Sequence, residues 1–321
     1  MSITEIRPDE LVPGKFIEEQ VEELKQAVGA GTAINALSGG VDSSVVTLLG
    51  HRALGSRLRT CFVSNGLMRA GEPEHVVGLF RDLDVEVELV PAEDVFFGEL
   101  RGLTDPEDKR NAITRAFYKK VFGRLVRESG ARFLLQGTNF TDVEETVAGV
   151  KRQHNILAQL GIDPEKEYGY KVLEPVLRLR KTGVRMVGKA LGLPEELYAR
   201  PPFPGPALAA RVIGEVTKDR VDLVRRATAI TEELLADSGA FQYLAILHQD
   251  MVTGLRNGRR DFGYQVEVRC WESTDAVRGR PTRLGFDLLE RLAGRITAEV
   301  PGVVSVTYNI TAKPPSTIEA V

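Results

Sequence analysis

The residues best suited to chemistry form one short polar segment, SGGVDSS, at positions 38–44. Its two adjacent glycines let backbone amides approach an anion without side-chain obstruction, and its serine hydroxyls add hydrogen-bond donors. Its aspartate can hold Mg²⁺ through carboxylate oxygens. The segment therefore predicts a phosphate-binding loop with one metal ligand, Asp42. The loop residues are Ser38, Gly39, Gly40, Val41, Asp42, Ser43 and Ser44.

A strand and a helix must flank this loop if it is to bind phosphate. Residues 32–37 form an apolar run typical of a buried strand, and residues 41–54 have the length and apolar content of a helix. The helix N-terminus would add unpaired N–H groups and the positive end of its dipole. A simple Gly-Gly turn capped by Asp or Ser is the alternative explanation. The complete heptapeptide between strand and helix favours phosphate binding.

Strands and helices alternate through the first half of the chain. This alternation predicts an α/β fold, a parallel sheet with helices on both faces. The predicted strands are 32–37, 59–64, 85–90 and 131–136, and the predicted helices are 13–28, 41–54, 72–83 and 106–129.

A cluster of prolines at 194–206 interrupts the alternation of strands and helices, because neither a helix nor a central strand tolerates such a cluster. We therefore predict two domains, residues 1–195 and 196–321. The second contains predicted helices at 217–235 and 286–299. In its predicted strands, 261–271 and 303–310, apolar and polar residues alternate, which indicates one buried and one wetter face. The second domain is thus expected to be small and α+β.

Composition excludes several classes of function. The 42 basic and 45 acidic residues give a net charge of −3, which counts against a nucleic-acid surface. The longest apolar runs have the length of strands, so no membrane span is expected. The first residues lack the features of a signal peptide, and two distant cysteines fit a reducing compartment. We expect a cytoplasmic protein.

The loop sequence SGGVDSS resembles the PP-loop signature of the ATP pyrophosphatases, which cleave ATP between the α- and β-phosphates. It lacks the Gly-Lys-Ser/Thr ending of a Walker A motif, so γ-phosphoryl transfer is not favoured. The resemblance implies the PP-loop adenine-nucleotide-hydrolase-like fold, with ATP and Mg²⁺ at the loop. The loop alone does not choose among the synthetases and tRNA-thiolating enzymes of this family.

Further segments of the first half resemble GMP synthetases. The stretch 61–69 resembles a family segment that touches adenine, with Ser64 where an aspartate is usual. Residues 105–110 resemble a mobile lid whose basic residues reach the ATP phosphates. Residues 136–138 and the stretch KRQHN at 151–155 also match family motifs. The resemblance implies catalytic roles for Lys109 and Arg110, and nucleotide binding by Val63, Gln136, Gly137 and Thr138.

Two proline-containing segments of the second half resemble GMP synthetase signatures, RPPFPGPAL at 200–208 and KPPSTIE at 313–319. Ala207 stands where the family has glycine. In the family these segments help to form the XMP site and the dimer. The resemblance therefore implies a homodimer through the second domain. It also implies XMP contacts from Arg200, Pro204, Gly205, Pro206, Lys313, Ile318 and Glu319.

The implied reaction is ATP-dependent amidation of XMP to GMP through an O2-adenylyl intermediate. Neither Cys61 nor Cys270 lies in the Gly-x-Cys-x-Gly turn of a glutaminase. The chain thus resembles a free-standing subunit that needs a separate glutamine amidotransferase or free ammonia. Two alternatives stay open: a PP-loop enzyme acting on another purine nucleotide, and a non-catalytic nucleotide-binding paralogue. A tRNA-modifying enzyme is less favoured, because the sequence adds no cysteine motif or basic RNA-binding region.

Overall fold

The computed structural model describes residues 3–147, 170–198, 203–256, 258–273 and 278–320. The chain packs as two compact units. The first comprises Met1–Ser64, Pro73–Ala92 and Thr114–Arg200, and the second comprises Asn65–Glu72, Glu93–Ile113 and Pro201–Val321. The predicted boundary between residues 195 and 196 stays a prediction about domains. It does not anticipate that two short segments of the first half group with the second unit.

The first unit is built on a five-stranded parallel sheet, which confirms the predicted α/β class. The strand order is β3-β2-β1-β4-β5, so the chain starts in the middle and moves outward in both directions. Every neighbouring pair is parallel. The strands are β1 Ala33–Ala36, β2 Leu58–Ser64, β3 Val87–Pro91, β4 Phe133–Leu135 and β5 Lys171–Leu173.

Helices alternate with these strands along the chain. In the described ranges up to residue 198, the helices are α1 Pro13–Val28, α2 Val41–Leu54, α3 Glu72–Arg81, α4 Glu93–Leu100, α5 Pro106–Arg115, α6 Gly123–Ser129, α7 Phe140–Val147, α8 Lys181–Leu191 and α9 Glu195–Tyr198. Helix α1 buries Phe16, Ile17 and Leu24 at helical spacing. Helix α2 is buried along most of its length because it packs against α1, α8 and the sheet. A π-helical stretch, Ala116–Phe122, joins α5 to α6 where one continuous helix is predicted.

The second unit carries a small mixed sheet and two long helices, which confirms its predicted α+β character. Strand β7 pairs antiparallel with β6 and β8 and parallel with β9. Thr217 begins the first helix by accepting a hydrogen bond from the Arg220 amide. The elements are α10 Lys218–Leu235, β6 Gln242–Arg256, β7 Arg259–Glu272, β8 Arg280–Pro281, α11 Phe286–Glu299 and β9 Val303–Tyr308.

One prediction about β7 is wrong. The alternating pattern places Glu267 and Arg269 on a wetter face of the strand, yet the side chain of Arg269 is only 10% exposed and that of Glu267 only 12%. The reason is that the end of the chain covers this face, and Arg269 donates to the carbonyl of Thr317. Among the described residues, no helix is both long and apolar enough to cross a membrane.

Candidate functional site

The strand order of the first unit places a ligand site beside β1 and β4. β1 lies between β2 and β4. The strands that follow it in sequence first extend the sheet toward one edge, through β2 and β3, and then toward the other edge, through β4 and β5. In open α/β sheets, ligands bind outside the carboxyl ends of strands at this switch point. The phosphate loop (residues 38–44) follows β1, and residues 136–138 follow β4. The fold therefore brings these two predicted segments to one edge of the sheet.

Hydrogen bonds within the phosphate loop fix its shape. The Ser43 hydroxyl accepts from the Ser38 amide at 3.2 Å and donates to the Gly40 carbonyl at 3.0 Å. The Ser38 and Ser43 hydroxyl oxygens lie 2.9 Å apart. Gly39 has φ +77°, a conformation that favours glycine. The loop is therefore held in one conformation by its own side chains, and its last four residues form the N-terminal turn of α2, which begins at Val41.

A buried polar chain supports the loop from behind. The Asn35 amide donates to Thr47 Oγ1 at 2.6 Å, and Thr47 Oγ1 donates to the Ser43 carbonyl at 2.8 Å. Thr60 Oγ1 in turn donates to Asn35 Oδ1 at 2.8 Å. This chain connects β2, β1 and α2 to the loop. Its members are satisfied by one another, so they rigidify the site.

Gly137 explains why the Gln-Gly-Thr segment contains a glycine. A Cβ at this position would lie 3.1 Å from the Asp42 carbonyl carbon and 3.2 Å from the Ser43 nitrogen. A Cβ atom here would require the phosphate loop to shift by a few tenths of an ångström. The segment after β4 thus packs directly against Asp42, the predicted metal ligand.

Four buried side-chain oxygens, two in the loop and two in the residues on either side of Gly137, have no hydrogen-bond partner among the described residues. They are Asp42 Oδ1, Ser44 Oγ, Gln136 Oε1 and Thr138 Oγ1. Buried polar atoms are normally paired, because an unpaired one costs free energy comparable to a lost hydrogen bond. A set of this kind, next to glycine amides and a helix N-terminus, is suited to a polar ligand.

Asp42 has an electrostatic environment that suits a cation. Burial raises the pKa of its carboxyl group, Lys181 opposes that rise, and the nearby Asp142 adds to it. Lys181 Nζ lies 3.6 Å from Asp42 Oδ2. Lys181 is a residue that sequence reasoning missed. Its signal was a lysine at the start of an amphipathic helix, α8, far from the loop in sequence.

The residues fit a magnesium ion bound together with phosphate. Asp42 offers a carboxylate oxygen, Oδ1, that no described residue uses. No group of three or more His, Cys, Asp and Glu side chains in the described part of the chain could form an all-protein metal site. Mg²⁺ characteristically binds through one or two carboxylates plus substrate phosphates and water. Asp42 matches that mode.

The second unit contains a polar cluster around Phe203, which we name the acceptor cluster (Arg69, Phe203, Arg211, Gln242 and Glu319). The guanidinium carbons of Arg69 and Arg211 lie 3.9 and 4.9 Å from the centroid of the Phe203 ring. Arg211 donates to the two Glu319 carboxylate oxygens at 3.2 Å each. Gln242 donates to Glu319 Oε1 at 2.8 Å. Cation–π contact and paired charges therefore hold this cluster together.

The acceptor cluster retains unused donors. Arg211 is 1% exposed, yet its Nη1 has no hydrogen-bond acceptor among the described residues. Arg69 Nη1 also lacks one, although it lies 3.9 Å from a Glu72 oxygen. Such donors suit an anionic or carbonyl-bearing ligand. Sequence reasoning named Glu319 as a contact of the acceptor nucleotide and placed Arg69 in the stretch expected to touch adenine. It did not name Arg211 or Gln242 as site residues.

The other predicted residues of the second unit lie nearby or in defined turns. Ile318 is buried in an apolar group with Leu244, Ile246 and Trp271. The Lys313 amide and carbonyl pair with those of Gly279. Pro204 and Pro206 accept backbone hydrogen bonds within the turn that leads to Ala207–Arg211, while Gly205 is exposed.

The backbone conformation of Ala207 explains why the family that this segment resembles has glycine at this position. Its φ is +53°, in the left-handed region that costs an L-residue with a Cβ atom about 1–2 kcal/mol. The strain is held by packing, because Ala207 is 2% exposed and its amide donates to the Pro204 carbonyl at 2.8 Å.

The predicted lid residues form the first turn of α5. Asp105 Oδ1 accepts from the amides of Glu107 and Asp108 and so begins the helix. Lys109 is 1% exposed, and its Nζ donates to the Val212 carbonyl at 2.9 Å within the second unit. Burial, assisted by Arg220, lowers the pKa of Lys109 to about 8. Arg110 is exposed.

The remaining predictions divide between described residues and residues outside the described ranges. Val63 is 7% exposed near the end of β2 in the first unit. The segment after it belongs to the second unit, where the Leu67 carbonyl accepts from the Leu208 amide. Arg200 and the stretch 151–155 lie outside the described residues.

Known proteins resemble this chain over nearly its whole length. A family model described as GMP synthase C terminal domain matches residues 230–320. The chain is 45% identical to a glutamine-hydrolyzing GMP synthase subunit of Methanothermobacter thermautotrophicus, over 96% of this chain and 99% of the relative. It is 46% identical to the corresponding subunit of Thermococcus kodakarensis, over 95% and 98%. The glutamine-hydrolyzing GMP synthase of Aeropyrum pernix is 43% identical over 96% of this chain, which spans 60% of that longer relative.

Proposed function

This chain belongs to the family of these GMP synthase subunits, and from that premise we propose that it converts XMP to GMP with ATP and ammonia. AMP and pyrophosphate are the other products. The observation that carries the proposal is the phosphate loop at the switch point of the sheet, with four buried oxygens around it that no described residue uses. ATP is the activating substrate in this proposal.

The first step activates the acceptor. The C2 oxygen of XMP attacks the α-phosphorus of ATP, a new P–O bond forms, and the bond between the α-phosphorus and the bridging oxygen breaks. Pyrophosphate departs with the bonding electrons. Ser38, Gly39 and Gly40 offer hydroxyl and amide donors to the β- and γ-phosphates, which positions the α-phosphorus for attack.

Charge must be neutralised as pyrophosphate leaves. Asp42 would hold Mg²⁺, which when bound compensates the negative charge of the phosphates. Lys181, which contacts Asp42 at 3.6 Å, supplies a second positive charge at the same loop. Lys109 and Arg110 stay proposed catalytic residues. For Lys109 to meet a phosphate, it must first exchange its hydrogen bond to Val212.

The second step replaces the activated oxygen. Ammonia adds to C2 of the adenylylated nucleotide, the C2–O bond breaks, AMP leaves, and a proton is lost from the added nitrogen. Neither step needs a covalent nucleophile from the enzyme, so positioning and exclusion of water are the proposed sources of catalysis.

The acceptor cluster is the proposed XMP site. Arg69 and Arg211 carry buried donor nitrogens suited to a phosphate or a xanthine carbonyl. Glu319 and Gln242 offer groups for the ribose hydroxyls or the base. Lys313 adds a positive charge for the monophosphate. Ile318 and the turn containing Pro204 supply apolar walls.

The ammonia donor is proposed to be a separate glutamine amidotransferase, and the chain is proposed to work in the cytoplasm. Relatives of similar length are named as subunits of glutamine-hydrolyzing enzymes, and a longer relative carries the name of the whole enzyme. A homodimer is also part of the proposal. Met251, Leu255 and Phe262 lie on one face of the β6–β7 hairpin and are 53%, 81% and 59% exposed, so this face offers apolar area for a second copy.

The test is pyrophosphate release from ATP and magnesium with ammonium, comparing XMP, IMP and no acceptor, with products identified by mass. Release that depends on XMP and yields GMP and AMP supports the proposal. Release that ignores XMP but depends on another purine nucleotide overturns the acceptor and keeps the activation step. No release with any acceptor, even after a glutaminase subunit is added, would overturn both.

A further inference from the structure

The C-terminal segment (residues 313–320) crosses one face of the sheet in the second unit. Ile318 is 7% exposed and packs in one apolar group with Leu244, Ile246 and Trp271. By the register of β6 and β7, Leu244 stands opposite Arg269 and Ile246 opposite Glu267. The charged pair on β7 therefore lies on the sheet face that the C-terminal segment covers.

Arg269 holds the backbone of this segment. Its Nη1 donates to the Thr317 carbonyl at 2.7 Å and to the Ile318 carbonyl at 3.2 Å. Its Nε donates to Glu267 Oε1 at 2.5 Å. One guanidinium group thus connects β7 to the two residues that immediately precede Glu319.

Glu267 is itself fixed by other groups. Burial alone would raise the pKa of Glu267, but hydrogen bonds involving His248, Arg269 and Asn309 lower it to about 2. His248 Nε2 lies 3.0 Å from Glu267 Oε2, and Asn309 donates to Oε1 at 2.9 Å. The carboxylate is therefore charged at neutral pH, and it orients Arg269 toward the C-terminal segment.

We propose that the Glu267–Arg269 pair is the positioning device of the acceptor site. Neither residue needs to touch the substrate. Arg269 fixes the positions of the Thr317 and Ile318 carbonyls by hydrogen bonds, and so determines where the next residue, Glu319, contacts Arg211 and Gln242. This inference rests on the proposed function in one respect, the identity of XMP as the acceptor.

The position of Trp271 provides a readout that is independent of activity. It is the only tryptophan of the chain, it is fully buried, and it packs with Ile318. Arg269→Met keeps much of the side-chain volume but removes both carbonyl contacts. We expect its tryptophan emission to shift to longer wavelength and to be quenched more strongly by acrylamide, because the segment lifts from the sheet. Adding XMP should partly reverse both changes.

Steady-state kinetics on the same variant provides the second readout. The KM for XMP should rise roughly tenfold or more, as expected for the loss of a buried charged contact, while the KM for ATP stays unchanged. Arg269→Lys keeps the charge beside Glu267 and should show an intermediate effect on the KM for XMP. It replaces the methionine variant in the test if that variant folds poorly. Arg295→Met is the matched control. It removes an arginine of α11 whose ion-pair partners in the described ranges are the exposed Glu233 and Glu299.

The outcomes distinguish failure of this inference from failure of the proposed function. Unchanged emission and unchanged KM for XMP in both Arg269 variants would overturn the proposal. Equal changes in the constants for XMP and ATP would also overturn it, since they indicate a general loss of structure. If the wild-type enzyme leaves XMP unconverted, the proposed function fails, and the fluorescence comparison still decides whether Arg269 seats the C-terminal segment.

Discussion

The phosphate loop of the first unit and the acceptor cluster of the second unit differ in how their polar atoms are paired. Around the loop, four buried oxygens have no partner among the described residues, and the loop is shaped by short local hydrogen bonds. In the acceptor cluster, charged side chains from distant segments pair with one another, and the atoms left unused in the described part of the chain are guanidinium nitrogens.

This difference follows from how each region is encoded. The loop is one contiguous heptapeptide between a strand and a helix, so its geometry is local. The acceptor cluster draws on residues from 69 to 319, so it exists only when the second unit has folded. We therefore expect substitutions at the loop to remove activity without loss of stability, and substitutions in the acceptor cluster to affect both.

Asp42→Asn should have the largest effect on activity. Removing the charge that would hold magnesium should lower pyrophosphate release by about 100-fold or more. Because burial raises the pKa of Asp42, its charged form is less favourable in the folded protein than in the unfolded chain. The charged carboxylate therefore lowers the free energy of unfolding at neutral pH. The variant should thus melt at the same temperature or higher at neutral pH. The measurements are pyrophosphate release and thermal unfolding.

Asp82→Asn is the control for this substitution, since Asp82 is an exposed carboxylate of the same unit. A variant of Asp42 with nearly normal release would remove it from the metal site. A variant with a much lower melting temperature would contradict the separation of activity from stability.

Gly137→Ala should have the next largest effect. Its Cβ would lie 3.1 Å from the Asp42 carbonyl carbon, so the loop must move. We expect kcat/KM for ATP to fall roughly 10- to 100-fold through misplacement of the phosphates, with a loss of about 1–3 kcal/mol in the free energy of unfolding. Gly78→Ala is the matched control, because open space surrounds that helical glycine. Equal effects of the two changes would show that the close packing at Gly137 is unimportant.

Glu319→Gln tests the acceptor cluster. The neutral side chain leaves the buried Arg211 without its counter-charge, so the free energy of unfolding should fall by about 1–3 kcal/mol. The KM for XMP should rise roughly tenfold, and the KM for ATP should not change. Kinetics and chemical denaturation measure the two effects.

Glu299→Gln breaks a pair with Arg295 on the exposed surface and serves as the control. It should change neither quantity measurably. If Glu319→Gln behaves like this control, the acceptor cluster is not a site and the contrast between the two regions is lost.

Ala207→Gly should have the smallest effect and the opposite sign. Glycine relieves the left-handed strain at φ +53°, and we expect a gain of about 0.5–1 kcal/mol in the free energy of unfolding. Ala209→Gly, in the same turn but without positive φ, should destabilise the protein instead. The comparison is made by chemical denaturation. Destabilisation by both changes would show that Ala207 is not strained.

The sequence predicted those features that depend on neighbouring residues. Helices α1, α2 and α11 have the predicted bounds, because amphipathic spacing and turn signals are local. The phosphate loop was also predictable as a motif. β6 was missed, although it is fifteen residues long, because it shows no clean alternation at its bulge between Leu247 and Met251.

The second region was less predictable because its chemistry depends on tertiary contact. No local sequence pattern shows that Arg69 and Arg211 lie in one cluster, and only packing around Phe203 brings them together. Likewise, strand alternation placed Arg269 in a wetter environment, since no local pattern shows that the end of the chain will cover it.

The most direct test of the central claim follows one oxygen atom. XMP labelled with ¹⁸O at its C2 oxygen is incubated with the enzyme, ATP, magnesium and ammonium, and the AMP formed is analysed by mass spectrometry. If the enzyme adenylylates XMP at this oxygen, the label appears in AMP in the same amount as GMP is formed. Unlabelled AMP, or label found in inorganic phosphate, would contradict the account.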